Sequence, residues 1–265
     1  MSDYLPVIKK ESRPYLESLR DDLDARKDPT FFWPTGTQVY VGRQGSGKTI
    51  SAVYHAHKLK KRYPSLIIVT NLLLTSMTPV HFKTKEDLRQ AIANLDPQNE
   101  YIYFQDMDEL ALALVEVNNG RLGVLYLIDE IHTYFNALDS KNIPMFVFTE
   151  ISQQRKQRKA IIGTSQLFLR MAKPFREQCD NIIMCSTIFG IITIQRAYDG
   201  MTLEQDYDGS LTGHRRKMGW FFHNRNIRNM YDTYQKVVSG AEQYDQTTTN
   251  QINISRKDVK KLKHS

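Results

Sequence analysis

The sequence predicts an α/β fold in which helices flank a mostly parallel central sheet, and three observations predict it. Short apolar runs of strand length recur at residues 37–41 (TQVYV), 66–70 (LIIVT), 124–128 (VLYLI) and 160–164 (AIIGT); such runs suit strands covered on both faces. Helical or polar segments separate them, which is the alternation a parallel sheet requires. The first run opens directly into a glycine-rich loop, and a helical pattern ending in the basic KLKKR follows over residues 50–62.

Composition allows this. With 265 residues, 41% of them hydrophobic and 25% charged, the chain can bury a core and is neither fibrous nor largely disordered. Lys and Arg number 36 against 29 Asp and Glu, a net charge of +7 that suits a polyanionic partner. Cys179 and Cys185 form neither a CxxC motif nor a disulfide framework, and no secretory segment follows Met1, so a reducing, cytoplasmic setting is expected. The longest apolar stretch, residues 181–194 (NIIMCSTIFGIITI), is interrupted by Ser186, Thr187, Gly190 and Thr193. It falls short of the roughly 18 residues of a membrane span and is expected to form buried strand pairs.

Taken in order, residues 3–30 place Tyr4, Leu5, Ile8, Tyr15, Leu16, Leu19 and Leu23 at a helical period, so residues 1–35 are expected to be an amphipathic helical extension, a strap across the core in preference to a docking arm for a partner. Residues 36–238 hold the alternating elements; residues 101–104 and the two halves of 181–194 are expected as edge or hairpin strands. Beyond about Ser239 the chain turns polar and then basic, and residues 239–265 are expected to form a surface tail or a partner-binding arm.

Gly42, Arg43, Gln44, Gly45, Ser46, Gly47, Lys48 and Thr49 fit the Walker A template G-x-x-x-x-G-K-[ST], with the strand before and the helix after that the motif demands. Glycines let the backbone curl so that successive N–H groups point inward, where the positive end of the next helix also points. A nucleoside triphosphate, ATP, fits such a cradle. Lys48 would reach its β and γ phosphates and the Thr49 hydroxyl would bind Mg²⁺.

The run 124–128 ends in Asp129 and Glu130, the Walker B pattern of a hydrophobic strand with an acidic tip. At the carboxyl end of a neighbouring parallel strand, Asp129 can hold the Mg²⁺ shell. Glu130 can take a proton from water attacking the γ phosphate, which favours a hydrolase over a kinase. The plainer reading is that both acids merely start a helix at IHTYFNAL. The strand at 160–165 ends at Gln166, a polar tip suited to sit between the acids and the γ phosphate. Just upstream, Arg155 or Arg158 could serve a neighbouring subunit as an arginine finger, or simply belong to a solvated basic face.

In their order along the chain, GRQGSGKT, VLYLIDE and the basic QQRKQRK feeding AIIGTSQ resemble the FtsK/HerA superfamily of DNA-pumping ATPases, and within it the zonular occludens toxin-like proteins and viral packaging ATPases. FGIITIQRAYDG and the YDTY at 231–234 resemble the closing segments of zonular occludens toxin-like domains. The resemblance implies a RecA-like P-loop NTPase core, assembly into a ring, commonly a hexamer, and movement of DNA through its centre. It assigns Lys48 and Thr49 to the nucleotide motif, Asp129 and Glu130 to the acidic motif, and Gln166 to the sensor position. Many such proteins carry a membrane span after the ATPase domain and this sequence shows none, which favours a packaging or transfer motor over an extrusion machine; capsid or portal proteins could be its partners, though the sequence identifies neither.

Three basic clusters could track DNA phosphates: Lys58, Lys60, Lys61 and Arg62; His214, Arg215, Arg216 and Lys217; and Lys257, Lys260, Lys261 and Lys263. Trp220, Phe221 and Phe222 are expected as buried strand aromatics rather than a stacking platform. His55, His57 and His132 complete no zinc spacing. The expected protein is an oligomeric, Mg²⁺-dependent ATPase that translocates DNA. Its rivals are an assembly or secretion ATPase with a protein substrate and a nucleotide-regulated scaffold.

Overall fold

The computed structural model describes residues 28–138, 140–141, 143–205 and 211–231. The expected helix within residues 1–35 therefore lies outside the described residues up to position 27, as do the tail at 239–265, its basic cluster and the end of YDTY.

Nine strands form one sheet. In chain order they are β1 (Thr37–Val41), β2 (Ile67–Thr70), β3 (Thr78–His81), β4 (Glu100–Tyr103), β5 (Val124–Ile128), β6 (Lys159–Ser165), β7 (Cys179–Ile188), β8 (Ile192–Asp199) and, after the short pair β9 (Glu204–Gln205) and β10 (Leu211–Thr212), β11 (Arg215–Phe222). The spatial order is β11-β8-β7-β1-β6-β5-β2-β4-β3. Every pairing from β7 to β3 is parallel, while β7–β8 and β8–β11 are antiparallel. The helices are α1 (Lys48–Arg62), α2 (Lys85–Asn94), α3 (Met107–Glu116), α4 (Met145–Gln153), and the single turns α5 (Lys173–Arg176) and α6 (Arg225–Arg228). Among the described residues no helix is long and apolar enough to cross a membrane.

The strand period of two explains the two cores. Val39, Val41, Val69, Tyr126, Ile128 and Ile161 face the side covered by α3 and α4. Tyr40, Leu125, Leu127, Ala160 and Ile162 face the other side, where Ala52, Val53 and Ala56 of α1 pack on them. With both faces covered, β1, β5 and β6 are buried at every position. Registers align the strand tips: Val41 pairs with Ser165 and Ile128 with Gly163. The loops after β1, β5 and β6 consequently meet at one edge of the sheet.

Several elements differ from expectation. Residues 101–104 give β4, but as an interior strand paired with both β2 and β3. The true edge is β3, whose TPVH is short, half-exposed and contains Pro79, so it carries little strand pattern. The helix expected from Ile131 is a single 3₁₀ turn, Ile131–Thr133. The apolar stretch 181–194 does form a hairpin, but its tip is in solvent: Phe189 is 92% exposed. Phe189 and Gly190 both have positive φ and are the central residues of a tight turn, closed by the Ile191 N–H donating to the Ile188 carbonyl at 3.0 Å, within a three-residue connection. On β11, Phe221 is buried as expected and stacks on Tyr54, whereas Trp220 and Phe222 are exposed. As alternate residues on a strand they share the opposite face, and no element covers it among the described residues.

Candidate nucleotide site

The phosphate loop links the buried β1 to the 15-residue α1. Gly47, at φ 86°, has the threonine hydroxyls of Thr187 and Thr193 against it; a Cβ there would sit 2.6 and 2.3 Å from their oxygens. Only glycine tolerates both the left-handed backbone and that approach. The hairpin β7–β8 thus forms the floor under the loop. No side chain caps the first turn of α1, so its N–H groups remain for an anion at the positive helix end. The Lys48 side chain is buried, 7% exposed, and donates to the Arg43 carbonyl at 3.2 Å.

The acidic pair is held by groups from the first turn of α1 and the tips of β6 and β2. Thr49 Oγ1 donates to Asp129 Oδ1 at 2.9 Å, and Thr164 Oγ1 donates to the same oxygen at 2.7 Å. The Glu130 N–H donates back to Thr164 Oγ1 at 2.9 Å. Asn71, just after β2, brackets Asp129: its Oδ1 accepts from the Asp129 N–H at 2.8 Å and its Nδ2 donates to the Asp129 carbonyl at 3.0 Å. Tyr134 accepts from Asn71 at 3.2 Å and donates to the Gln105 carbonyl. Asp129 was expected on the strand next to β1, yet β6 lies between β1 and β5. The gap is closed by Thr164, the residue of β6 that hydrogen-bonds both acids' units.

Glu130 is the strained member, with φ 47° and ψ 49° in the left-handed region and no side-chain cap bond to the turn that follows. A non-glycine residue there costs of order 1 kcal/mol and persists only where its surroundings impose it. Its Oε2 is buried, lies 3.2 Å from His132 Nδ1 and makes no hydrogen bond. Burial first, and then the Asp129 charge, push the Glu130 carboxyl above the usual carboxylate range, while Lys48, a hydrogen bond from Gln166 and Arg170 oppose this. His132 is shifted down, chiefly by burial and then by Arg170 and Lys48, so it stays neutral near pH 7.

Lys48, Thr49, Asp129, Glu130 and Gln166 therefore converge. Arg155 and Arg158 do not join them within the chain. They precede β6, so its seven residues, about 20 Å of strand, separate them from Gln166. Arg155 pairs with Asp180. Arg158 stacks on Phe31, 3.6 Å from the ring centre, and donates to the Phe32 carbonyl at 2.8 Å. The arginine beside the acids is Arg170, which follows Gln166. Asn71, Thr164, His132 and Arg170 join the site without belonging to any sequence motif. A polar residue at the tip of each apolar run, the feature that singled out Gln166, marks Asn71 and Thr164 equally.

As for a metal, the donors are a hydroxyl and a carboxylate oxygen already in contact, with no cluster of three or more His, Cys, Asp or Glu among the described residues. That set fits Mg²⁺, which keeps several waters and takes one or two protein oxygens plus substrate phosphates.

A mostly parallel sheet with a G-x-x-x-x-G-K-T loop after one strand and an acidic pair after another, their tips joined by a polar network, is the arrangement of a P-loop NTPase. The family model described as zonular occludens toxin (Zot) matches residues 37–208, and the chain belongs to that family. No curated protein matches the sequence. Among solved structures, the N-terminal domain of zonular occludens toxin from Neisseria meningitidis is 11% identical over 74% of this chain and 98% of that one, with a TM-score of 0.47. The genome packaging NTPase B204 from Sulfolobus turreted icosahedral virus 2, in complex with ATP-gammaS, is 16% identical over 68% of this chain and 96% of that one, with a TM-score of 0.45.

Proposed function

We propose that the protein is an ATPase that hydrolyses ATP with Mg²⁺ and couples the reaction to movement of DNA, acting as an oligomeric ring. One observation carries the hydrolytic reading: the buried, unbonded Oε2 of Glu130 sits beside a phosphate loop whose Thr49 already touches Asp129. In the proposed step a water oxygen bonds to the γ phosphorus, its proton passes to the Glu130 carboxylate, and the bond from the γ phosphorus to the β–γ bridging oxygen breaks, its electron pair leaving with ADP. Lys48 and the loop N–H groups stabilise the phosphate charge. Thr49 and Asp129 would hold Mg²⁺, which would neutralise part of that charge. Gln166, which hydrogen-bonds the Glu130 carboxyl, orients it.

DNA as the moved substrate is supported by the net charge of +7 and by the motif order that resembles DNA-pumping ATPases. Of the expected basic residues, Lys60 is committed to backbone carbonyls, including Leu66 at 2.6 Å, and Arg216 to Asp199 and Asn181. Lys217, Arg215 and His214 remain exposed on and beside β11. A second reading, a protein substrate in virion assembly or secretion, is supported by the apolar surface of Phe189, Trp220 and Phe222. Steady-state ATP hydrolysis with and without single- and double-stranded DNA, beside Glu130→Gln, tests both. Several-fold stimulation lost in the variant is expected for a DNA motor. Hydrolysis indifferent to DNA would transfer the assignment to the protein substrate, and no hydrolysis would leave the scaffold.

A further inference from the structure

A cavity of about 570 Å³ lies apart from the phosphate loop, none of whose residues lines it. Helix α1 packs on β1, β5 and β6, and the cavity occupies the trough between the flank of that helix and the strands beyond β1, namely β7, β8 and β11. We propose that it is a second anion site, which takes a small ligand bearing a phosphomonoester in addition to the nucleotide at the phosphate loop.

The fold brings together here two basic runs that lie far apart in the chain. Lys58 enters from α1, and Lys217 enters from β11, where it pairs with Ala197 on the face turned toward α1. Lys58 sits over the Tyr54 ring, 4.2 Å from its centre, and that ring stacks on Phe221 at 4.9 Å, so helix and strand are tied together along the cavity wall. Among the described residues neither lysine side chain has an ion pair or a hydrogen bond. Arg216 also lines the cavity but is spent on Asp199 and Asn181. No Asp or Glu lines it among the described residues, so the two ammonium charges stand uncompensated.

Both lysines act on His55, which lines the same cavity. The buried Tyr40 hydroxyl, with no other hydrogen bond, donates to His55 Nδ1 at 3.0 Å and leaves the ring proton on Nε2. Burial, then the charges of Lys58 and Lys217, lower the imidazole pKa to about 4, so at pH 7 the ring is a neutral N–H donor beside two cations. Gln195 and the amino group of Asn181, whose Oδ1 already accepts from Arg216, add further neutral donors. A phosphomonoester carries about −1.5 to −2 charges at pH 7 and three acceptor oxygens, which matches two ammonium groups and a set of N–H donors. A phosphodiester of nucleic acid carries one charge and would leave one lysine uncompensated. The volume lies within the range of about 300–1,000 Å³ that small-ligand sites occupy.

Titration calorimetry of the full chain with ribose 5-phosphate as the probe tests this on the wild type, Lys58→Gln, Lys217→Gln and Lys48→Ala. The wild type should bind the probe, and Lys58→Gln and Lys217→Gln should each weaken it about tenfold, the scale of one charge-assisted hydrogen bond. Both lysines are exposed, so neither substitution endangers folding. Lys48→Ala, at the phosphate loop, should leave the binding in place, and a 5′-hydroxyl oligothymidylate should not displace the probe. No binding at millimolar probe, or binding that neither Lys58→Gln nor Lys217→Gln weakens, would overturn the site. Binding lost in Lys48→Ala and kept in the other two variants would assign the probe to the phosphate loop and overturn it as well. Displacement by the oligothymidylate would give the cavity to a nucleic-acid strand and overturn the small ligand.

Discussion

The two ends of β6 hold cations and polar groups in similar number but in different states. At its N-terminal end Lys159, Arg155 and Arg158 are all committed. Lys159, 2% exposed, donates to the Leu114 carbonyl at 2.6 Å, Gln154 donates to Thr37, Arg155 pairs with Asp180 and Arg158 lies on Phe31. At its C-terminal end Thr164 and Gln166 support a strained glutamate with an unbonded oxygen. Both ends are polar and packed, so density of charge does not distinguish them. Each end also holds one buried side-chain oxygen without a hydrogen bond, Gln154 Oε1 and Glu130 Oε2, and one non-glycine residue at positive φ, Arg158 and Glu130. The C-terminal end differs because both features fall on one ionisable residue, where parallel strands deliver their carboxyl ends.

The comparison breaks most visibly at Glu130. Glu130→Gln should lower kcat by about 10²–10⁴-fold, the worth of a general base, while nucleotide affinity is retained. ADP release beside direct nucleotide binding checks it; a variant that hydrolyses at the wild-type rate would remove Glu130 from the chemistry. Thr164→Val comes next. It strips Asp129 of one donor and leaves the buried Glu130 N–H without its acceptor. A loss of stability of about 1–3 kcal/mol and a kcat fall of about tenfold or more are expected, read from chemical denaturation and turnover. Unchanged turnover would show that Thr49 and Asn71 suffice to hold the acids.

The opposite end should respond in stability alone. Arg158→Ala loses a stacked cation and a hydrogen bond, so about 1–2 kcal/mol of stability should go, with turnover per folded molecule unchanged. Arg155 is 62% exposed, and its Asp180 pair is worth at most about 1 kcal/mol. If Arg155→Ala or Arg158→Ala instead abolished turnover only under conditions that support oligomers, an arginine would be acting across a subunit boundary.

These outcomes bear on what the sequence could tell. The Walker A loop and Asp129–Glu130 were legible because their spacing is local: a fixed run of residues, between a strand and a helix, fixes the geometry. Thr164 and Asn71 were not, because their role depends on which strands lie side by side. Nothing in AIIGTSQ says that it inserts between β1 and β5, and without that register Thr164 is an ordinary strand threonine. The exposed Trp220 and Phe222 were hidden for the same reason, since burial on β11 depends on what covers each face. Arg155 and Arg158 are different. Preceding a parallel strand already places them at the edge away from the phosphate loop, so strand polarity alone argued against contact with their own chain's nucleotide.

The smallest expected effect concerns protonation. Because the folded protein holds the Glu130 carboxyl above its ordinary range, the fold favours the protonated form. Its stabilising contribution is complete below the unfolded-state value and is lost as pH rises through the raised folded value. At pH 7–8 the wild type therefore carries an unfavourable, partly buried carboxylate, which is the form needed to accept a proton from water. Glu130→Gln removes that charge, so the variant should melt about 1–3 °C higher than wild type at pH 7–8, and the difference should shrink as pH falls toward 4. Wild-type turnover should decline over the same interval, at a higher pH than an ordinary carboxylate would dictate. Scanning Tm against pH for both proteins checks the sign. A variant no more stable at pH 8 than at pH 4, relative to wild type, would mean that the Glu130 carboxylate is adequately solvated and that its strain resides in the backbone alone.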